Sequence, residues 1–497
     1  MKPRYYLLFA ASLLLSCNES FLDVVPKSDV SGDNFYRNAT DFRNAVNAAY
    51  SFLQKDALYG DNFSSLAEVP ADNVTVADPS GAGGAPQATI DAFVTPTTNS
   101  LVLSVYTGSY AGIQRCNIVL ERIGSATIAD NLKNQFTGEV SFLRALHYFN
   151  LVRLFGDVPL VLNEVKNAQE GYGFGRVPVE QVYTQILADL AVAEAKLPLA
   201  YTGADIGRAT QGAAKSLLGK VYLTRKAYAQ AAAKLKEVID LGGTGTGKVY
   251  DLAPAYADNF NPTKSNNAGH KESIFEVQYK TGGIGEGSPW TNRVTPAGIT
   301  TAVTGIGPGN GTFLWPTPQI ANAYARTDLR RAVNLDSARI VGVFRTYVKK
   351  YVQTVYGSVQ FAAYDGDPNW PLLRYADVLL MYAEALNEVN GGPNALAYDA
   401  INRVRRRAYG VPVATPSATV DVPAGLTKAQ FFTAVEAERR LELAFEGHRW
   451  FDLVRTDRAI PVMSALGYAI KPRDLLFPIP QAEIDINPRG LTQNPGY

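Results

Sequence analysis

Glycine-rich loops, histidines and cysteines are the first places to look for chemistry in this chain. The stretch "GGTGTGKV", residues 242–249, sets Gly242, Gly247 and Lys248 at most of the offsets of a phosphate-binding loop. Val249 stands where such a loop needs a hydroxyl for magnesium. The glycines also follow a helical pattern, "KLKEVIDLG", rather than a strand, so Gly242 reads as a helix C-cap. "GIGPGNG", residues 305–311, fails as a dinucleotide fingerprint because Pro308 and its surroundings offer no strand–turn–helix. The three histidines, His147, His270 and His448, include no pair at the spacing of a helical zinc motif, and two cysteines add nothing to them. No nucleophile elbow of the G-x-S-x-G type occurs. The sequence therefore predicts no catalytic residues, no metal and no cofactor. Binding rather than turnover is the expectation.

Binding chemistry points to the aromatic residues. The chain holds 27 Tyr, 22 Phe and 4 Trp, so broad apolar area with polar tips is plentiful. Trp450, in "EGHRWFDLVR", has aromatic neighbours and reads as core, as does Trp370 in "DPNWPLLRYADVLL". Trp290 and Trp315 stand instead in a segment rich in Gly, Asn, Thr and Pro, where a core role is less natural. Flat aromatic faces suit the C–H faces of sugar rings, and amide and guanidinium groups suit their hydroxyls. Asn292, Arg293 and Asn310 lie close by in sequence. The candidate ligand-binding set is thus Trp290, Trp315, Asn292, Arg293 and Asn310.

The N-terminus supplies a second kind of chemistry. Lys2 and Arg4 precede an unbroken run, "YYLLFAASLLL". Spanning a bilayer takes roughly 20 apolar residues, so this run has the length of a signal-peptide core. Leu14-Leu15-Ser16-Cys17 resembles a bacterial lipobox, in which the cysteine becomes the acylated N-terminus. The expectation is a signal peptide over 1–16, lipidation at Cys17, and a polar tether over 17–36. Cys116, in "AGIQRCNIVLERI", falls on the apolar face of a predicted helix and reads as a buried free thiol. A disulfide framework is excluded by count.

The elements that must carry these residues are mostly helical. Charge is balanced, 47 basic against 46 acidic residues, which leaves no basic stripe for nucleic acid. Helical spacing recurs in "NATDFRNAVNAAYSFLQ", "SLVLSVYTGSYAGIQRCNIVLERI", "LKNQFTGEVSFLRALHYFNLVRLFG" and "VEQVYTQILADLAVAEAKL". Residues 60–98, with "DPSGAGGAP", read as loop-rich. In "TQGAAKSLLGKVYLTRKAYAQAAAKLKEVIDLG", Leu218-Gly219, Tyr222, Ala231 and Leu235 fall at tetratricopeptide offsets, although Lys215 takes the tryptophan position. Gly219 and Ala231 would let two helices approach closely. "LLRYADVLLMYAEALNEV" with "NALAYDAINRVRRRAYG" reads as a second pair, and "AQFFTAVEAERRLELAFEG" as a last long helix. Residues 242–316 are loop-rich, with short strand-like runs such as "SIFEVQYK".

Four stretches carry a family resemblance. "FLRALHYFNLVRLFGDVPL", "RYADVLLMYAEALNE", "ERRLELAFEGHRWFDLVR" and the terminal "LLFPIPQAEIDINPRGLTQNPGY" resemble signatures of the SusD/RagB family of outer-membrane lipoproteins. The resemblance runs from the lipobox to Tyr497. It implies a mainly α fold, in which tetratricopeptide-like helix pairs form a superhelical scaffold and a loop-rich half holds a few short strands. The implied organisation is a helical part over 37–241, a loop-rich ligand-binding region over 242–370, and a C-terminal helical part over 371–497, in one intertwined body. It also implies a SusC-like TonB-dependent transporter as partner, a cell outer-membrane location facing the exterior, and capture of oligosaccharides or, alternatively, oligopeptides for uptake. The family's ligand residues lie in variable loops, so none is transferred from the signatures.

Overall fold

The computed structural model describes residues 35–76, 84–243, 247–265, 270–296, 314–340, 342–353 and 362–497. The leader 1–16, Cys17, most of the tether and Asn310 lie outside the described residues. Among the described residues helix accounts for 54% and strand for 8%, which makes the fold mainly α, with no closed sheet among them.

The longer helices are α1 (Ala39–Ser51), α2 (Ser100–Arg122), α3 (Asp130–Phe155), α4 (Val179–Lys196), α5 (Gln211–Thr224), α6 (Tyr228–Asp240), α7 (Tyr375–Val389), α8 (Ala395–Ala408) and α9 (Lys428–Glu442). Short polar side chains start several of them. Asn38, Asn99, Thr210, Asn394 and Thr427 each accept from backbone N–H groups of the first turn, which otherwise have no partner. From α2 to α8 each helix packs on the next, and α9 closes on α7 and α8. This is the stacking of a helical repeat array, in which no pair can bury its apolar face alone. The α5–α6 pair matches the tetratricopeptide offsets closely. A Cβ built on Gly219 would come within 2.5 Å of a Leu235 methyl, so the glycine sets how closely the two helices approach.

Helix α3 runs through the middle. It is buried almost without interruption from Phe136 to Phe155, and its polar residues must find partners inside. Arg144 forms a bidentate pair with Asp189 at 2.8 and 2.7 Å and donates to Asn117. Asn150 donates to the Tyr59 hydroxyl. His147 fits against the bare backbone of Gly112, where a Cβ would lie 2.3 Å from Nε2. Neither ring nitrogen of His147 has a partner among the described residues, and burial pushes its pKa down to about 4. It is a structural histidine, as is His448, whose Nδ1 contacts the Lys220 amine at 2.9 Å. Cys116 is a buried free thiol.

The strands are short and paired two by two, all antiparallel: β1 (Val74–Thr75) with β5 (Trp315–Pro316), β2 (Val158–Pro159) with β3 (Arg176–Val177), β4 (Ser273–Val277) with β8 (Trp370–Arg374), and β6 (Leu335–Ile340) with β7 (Val343–Val348). The stretch 60–98, expected as loop, holds two seven-residue helices, Asn62–Glu68 and Ala85–Asp91. No helix among the described residues is long and apolar enough to cross a membrane.

Buried charge joins the helical and loop-rich parts. Arg374 pairs with Glu272, Glu442 and Glu446, and Arg407 with Glu272 and Glu442. Arg330 pairs with Asp328, Glu438 and Glu442, and Lys350 with Glu446. None of these side chains is more than 3% exposed. Burial opposes ionisation of Glu442, yet Arg407, Arg374 and Arg330 hold its carboxyl down to about 2. The charged residues of "RYADVLLMYAEALNE" and "ERRLELAFEGHRWFDLVR" largely meet one another: Arg374 with Glu442, Asp377 with Arg439, and Glu384 with Arg455. These signatures build the core.

Candidate functional site

Trp315 lies on β5, whose partner strand β1 sits 240 residues earlier, with Thr75 opposite Trp315 and Val74 opposite Pro316. The ribbon is fixed at both ends. Thr75 and the Val76 backbone bond the Asp91 carboxylate at 2.8 and 3.2 Å, and the Thr317 backbone donates to the Asn73 carbonyl at 2.9 Å. β1 leads towards residues 77–83 and β5 follows residues 297–313, both outside the described residues. The Trp315 side chain is half-buried and packs against Tyr347, as do Ala338 and Val352. The exposed Arg345 places its guanidinium carbon 5.1 Å from the Trp315 ring centroid. The indole N–H of Trp315 has no acceptor among the described residues. An aromatic ring on the fixed ribbon and a guanidinium on the β6–β7 hairpin thus meet at one place, while the indole nitrogen beneath them is buried. The ring can stack an apolar face, and the exposed Arg345 guanidinium can donate to hydroxyls around it.

Arg293 and Asn292 form a neighbouring cluster with a residue that sequence reasoning passed over, Tyr364. The Asn292 side-chain oxygen accepts from the Tyr364 backbone at 2.7 Å, while its amide nitrogen is buried without a partner among the described residues. Arg293 lies 5.4 Å from the Tyr364 ring centroid and pairs with Asp61 at 3.0 Å and Asp56 at 3.4 Å. Burial pushes the Asp61 carboxyl up to about 6, with Arg293 acting against it. Tyr364 keeps 38% of its surface exposed. Segment 351–353 links the two clusters. Thr291 bonds the Tyr351 carbonyl and the Gln353 backbone, and Val352 touches the Trp315 group.

Trp290 is a correction. It was expected at the surface because it stands in a glycine-rich segment, and it lies in the core with none of its surface exposed. Its ring stacks on Trp370 at 4.0 Å and packs on Tyr351 at 5.6 Å. Its indole N–H donates to the Tyr59 carbonyl at 3.1 Å. Local composition misled because a five-residue helix, Trp290–Val294, turns this side chain inward. Asn292, only 1% exposed, holds the Tyr364 backbone in place and does not itself form a surface.

Arg345, Tyr347 and Tyr364 carry no spacing code that would have singled them out. The one local signal of the β6–β7 hairpin is Gly342 at its turn, which adopts a φ of 80°, between runs that hold β-branched and aromatic residues. That this hairpin packs on Trp315 depends on tertiary structure alone. "GGTGTGKV" also finds its explanation here: Lys248 donates to the Asp240 carbonyl at the end of α6, a helix C-terminus rather than a phosphate site.

Comparison with known proteins gives a consistent picture. The SusD family model matches residues 337–497, and a model described as "Starch-binding associating with outer membrane" matches residues 20–223. Residues 224–336, which hold Trp290, Asn292, Arg293, Asn310 and Trp315, lie outside both matches. SusD-like protein P2 of Formosa agariphila is 28% identical over 99% of this chain and 100% of its own. A SusD-like protein of Bacteroides ovatus is 25% identical over 93% and 84%. Among solved structures, a SusD homolog from Bacteroides thetaiotaomicron superposes with a TM-score of 0.81 at 27% identity, covering 95% of this chain and 99% of that one. A laminarin-binding SusD-like protein superposes with a TM-score of 0.77 at 29% identity, covering 93% and 100%.

Proposed function

The chain belongs to the SusD family, and from that premise we propose that it is a non-catalytic cell-surface lipoprotein that captures oligosaccharides and delivers them to a SusC-like TonB-dependent transporter in the outer membrane. The observation that carries the reading is the Trp315–Arg345 pair: a half-buried ring on a ribbon fixed at both ends, beside an exposed cation of the β6–β7 hairpin. Tyr364 and Arg293 extend the same chemistry. The laminarin-binding relative supports a glucan as the first ligand to try. The family description, with its outer-membrane association, supports the location. Acylation at Cys17 would hold the body next to the transporter. Tethering of this kind raises effective concentration, so modest affinity is enough for capture and fast release favours hand-over.

The test is calorimetry of the purified protein against laminarihexaose, maltohexaose and cellohexaose. The reading expects binding of at least one, weakened about tenfold or more by Trp315→Ala, equivalent to about 1.4 kcal/mol. Binding unchanged by Trp315→Ala and Arg345→Ala removes the site assignment. Cys17→Ala is expected to abolish acyl labelling and membrane retention while leaving binding by the body intact. Binding of oligopeptides in place of every glycan would move the ligand class to the alternative.

A further inference from the structure

A groove of about 470 Å³ opens between α2, the segment that connects β2 to β3, and the C-terminal helix Gln481–Ile486. It shares no lining residue with the Trp315 and Arg293 clusters. Its volume is that of a small-ligand site, which typically pairs aromatic walls with a few unfilled polar groups. Tyr106, Tyr110, Tyr172 and Phe174 supply the walls. Tyr106 and Tyr110 pack against each other with centroids 5.0 Å apart. Tyr172 and Ile486, 46% and 59% exposed, leave large apolar surface on the same groove.

The polar groups divide into two sorts. Tyr110 donates its hydroxyl to the Pro159 carbonyl at 2.9 Å, and both ends of the Gln114 amide are bonded to Val165. Those are satisfied. The Tyr106 hydroxyl, on a residue only 2% exposed, has no hydrogen-bond partner of good geometry among the described residues. The Glu483 carboxylate is half-buried with no hydrogen bond or ion pair of its own among the described residues, and burial raises its pKa. The nearest guanidinium with an influence on the tyrosines, Arg176, is committed to the Asp157 carbonyl, the Thr492 carbonyl and Asn494. A buried hydroxyl with only the Tyr110 hydroxyl beside it, and a half-buried carboxyl without a partner among the described residues, call for a ligand that is apolar on its faces and hydroxylated at its edges. An alkyl chain would leave both groups unfilled.

We propose that this groove is a second carbohydrate-binding site, which holds one or two sugar units between Tyr172 and the Tyr106–Tyr110 pair with hydroxyls on Glu483 and Tyr106. The choice of ligand class rests on the glycan-capture reading above; the site itself rests on the groove. Two sites on one body would let a long glycan be held at two points, so that release from one does not lose the chain.

The experiment is calorimetry of the full lipidated protein in nanodiscs, with laminarihexaose, maltohexaose and cellohexaose as probes. The expected result is two sites per chain for at least one probe. Trp315→Ala removes one of them, and Tyr172→Ala or Glu483→Ala weakens the other at least tenfold. Tyr106→Phe keeps the ring and should weaken the same site alone. A single site lost with Trp315→Ala and unchanged within twofold by Tyr172→Ala and Glu483→Ala overturns the groove and spares the capture reading. A single site that responds only to Tyr172→Ala and Glu483→Ala upholds the groove and overturns the Trp315 assignment. No binding of any probe overturns both.

Discussion

Arg374 and Glu442 meet at 3.0 Å, with the arginine side chain 3% exposed and the glutamate fully buried. Arg374 ends β8 at the start of α7, and Glu442 ends α9, so one ion pair joins the two C-terminal signatures of the chain. Three more carboxylate contacts surround the same guanidinium, from Glu272 and from both oxygens of Glu446. A buried pair of this kind is weak evidence for net stability, because desolvation offsets attraction. Removing one member is a different matter, because it strands the other charges.

Arg374→Ala is therefore expected to cost about 3–5 kcal/mol by leaving Glu272, Glu442 and Glu446 short of their shared cation. The denaturant midpoint, compared with that of the parent protein, checks it. A shift of less than about 1 kcal/mol would mean that the remaining cations, Arg407 and Lys350, redistribute to cover the loss.

His147 makes stability depend on acid. Its ring is neutral in the folded protein because burial pushes its pKa from 6.5 to about 4. The unfolded chain therefore binds a proton that the folded chain refuses. This contribution to stability is complete above about pH 6.5 and is lost progressively as pH falls towards 4, on the order of 3 kcal/mol in all. Unfolding midpoints at pH 7 and pH 5 for the parent and for His147→Gln should show a smaller acid loss in the variant. Equal losses would assign the effect to other groups.

The two glycine-region tryptophans should separate cleanly. Trp290→Ala empties a stacked position against Trp370 and is expected to cost about 3–5 kcal/mol. Trp315→Ala, on a half-buried ribbon, is expected to cost about 1–2 kcal/mol and to lose ligand instead. Thermal unfolding and glycan titration of both variants check the division. A stable Trp290→Ala protein with lost binding would restore Trp290 to the site.

Gly219→Ala tests the α5–α6 approach. Alanine is the better helix former by about 1 kcal/mol. Here its methyl would meet Leu235, and overpacking of this kind costs about 1–3 kcal/mol. Net destabilisation in the unfolding midpoint is expected; a more stable variant would show that Leu235 moves aside freely.

The helices were legible because their apolar positions repeat at helical spacing and their caps are local. The α5–α6 pair was readable down to Gly219 for that reason. The core role of Trp450 was readable from its aromatic neighbours Phe445 and Phe451, and that of Trp370 from the apolar helix pattern that follows it. Trp290 was misread because its neighbours are glycines, prolines and threonines, while its burial depends on Trp370, Tyr351 and Tyr59, all distant in sequence. Arg345, Tyr347 and Tyr364 were invisible for the same physical reason. They join Trp315 and Arg293 through packing of a hairpin and a turn, and no spacing records that.

One strand pairing has a wider consequence. Val277 and Trp370 are register partners in the β4–β8 pair. The 92 residues between them therefore leave the helical array and return to it at adjacent points. Trp290, Arg293, Trp315, Arg345, Tyr347 and Tyr364 all lie in that excursion. Its length and content can change while its two stems stay the same distance apart, because loop closure depends only weakly on loop length. The molecule is thus built as a frame with an insert whose outer part is free to diverge between relatives, so long as Asp328, Arg330 and Lys350 within it keep their places among the buried charges of the frame.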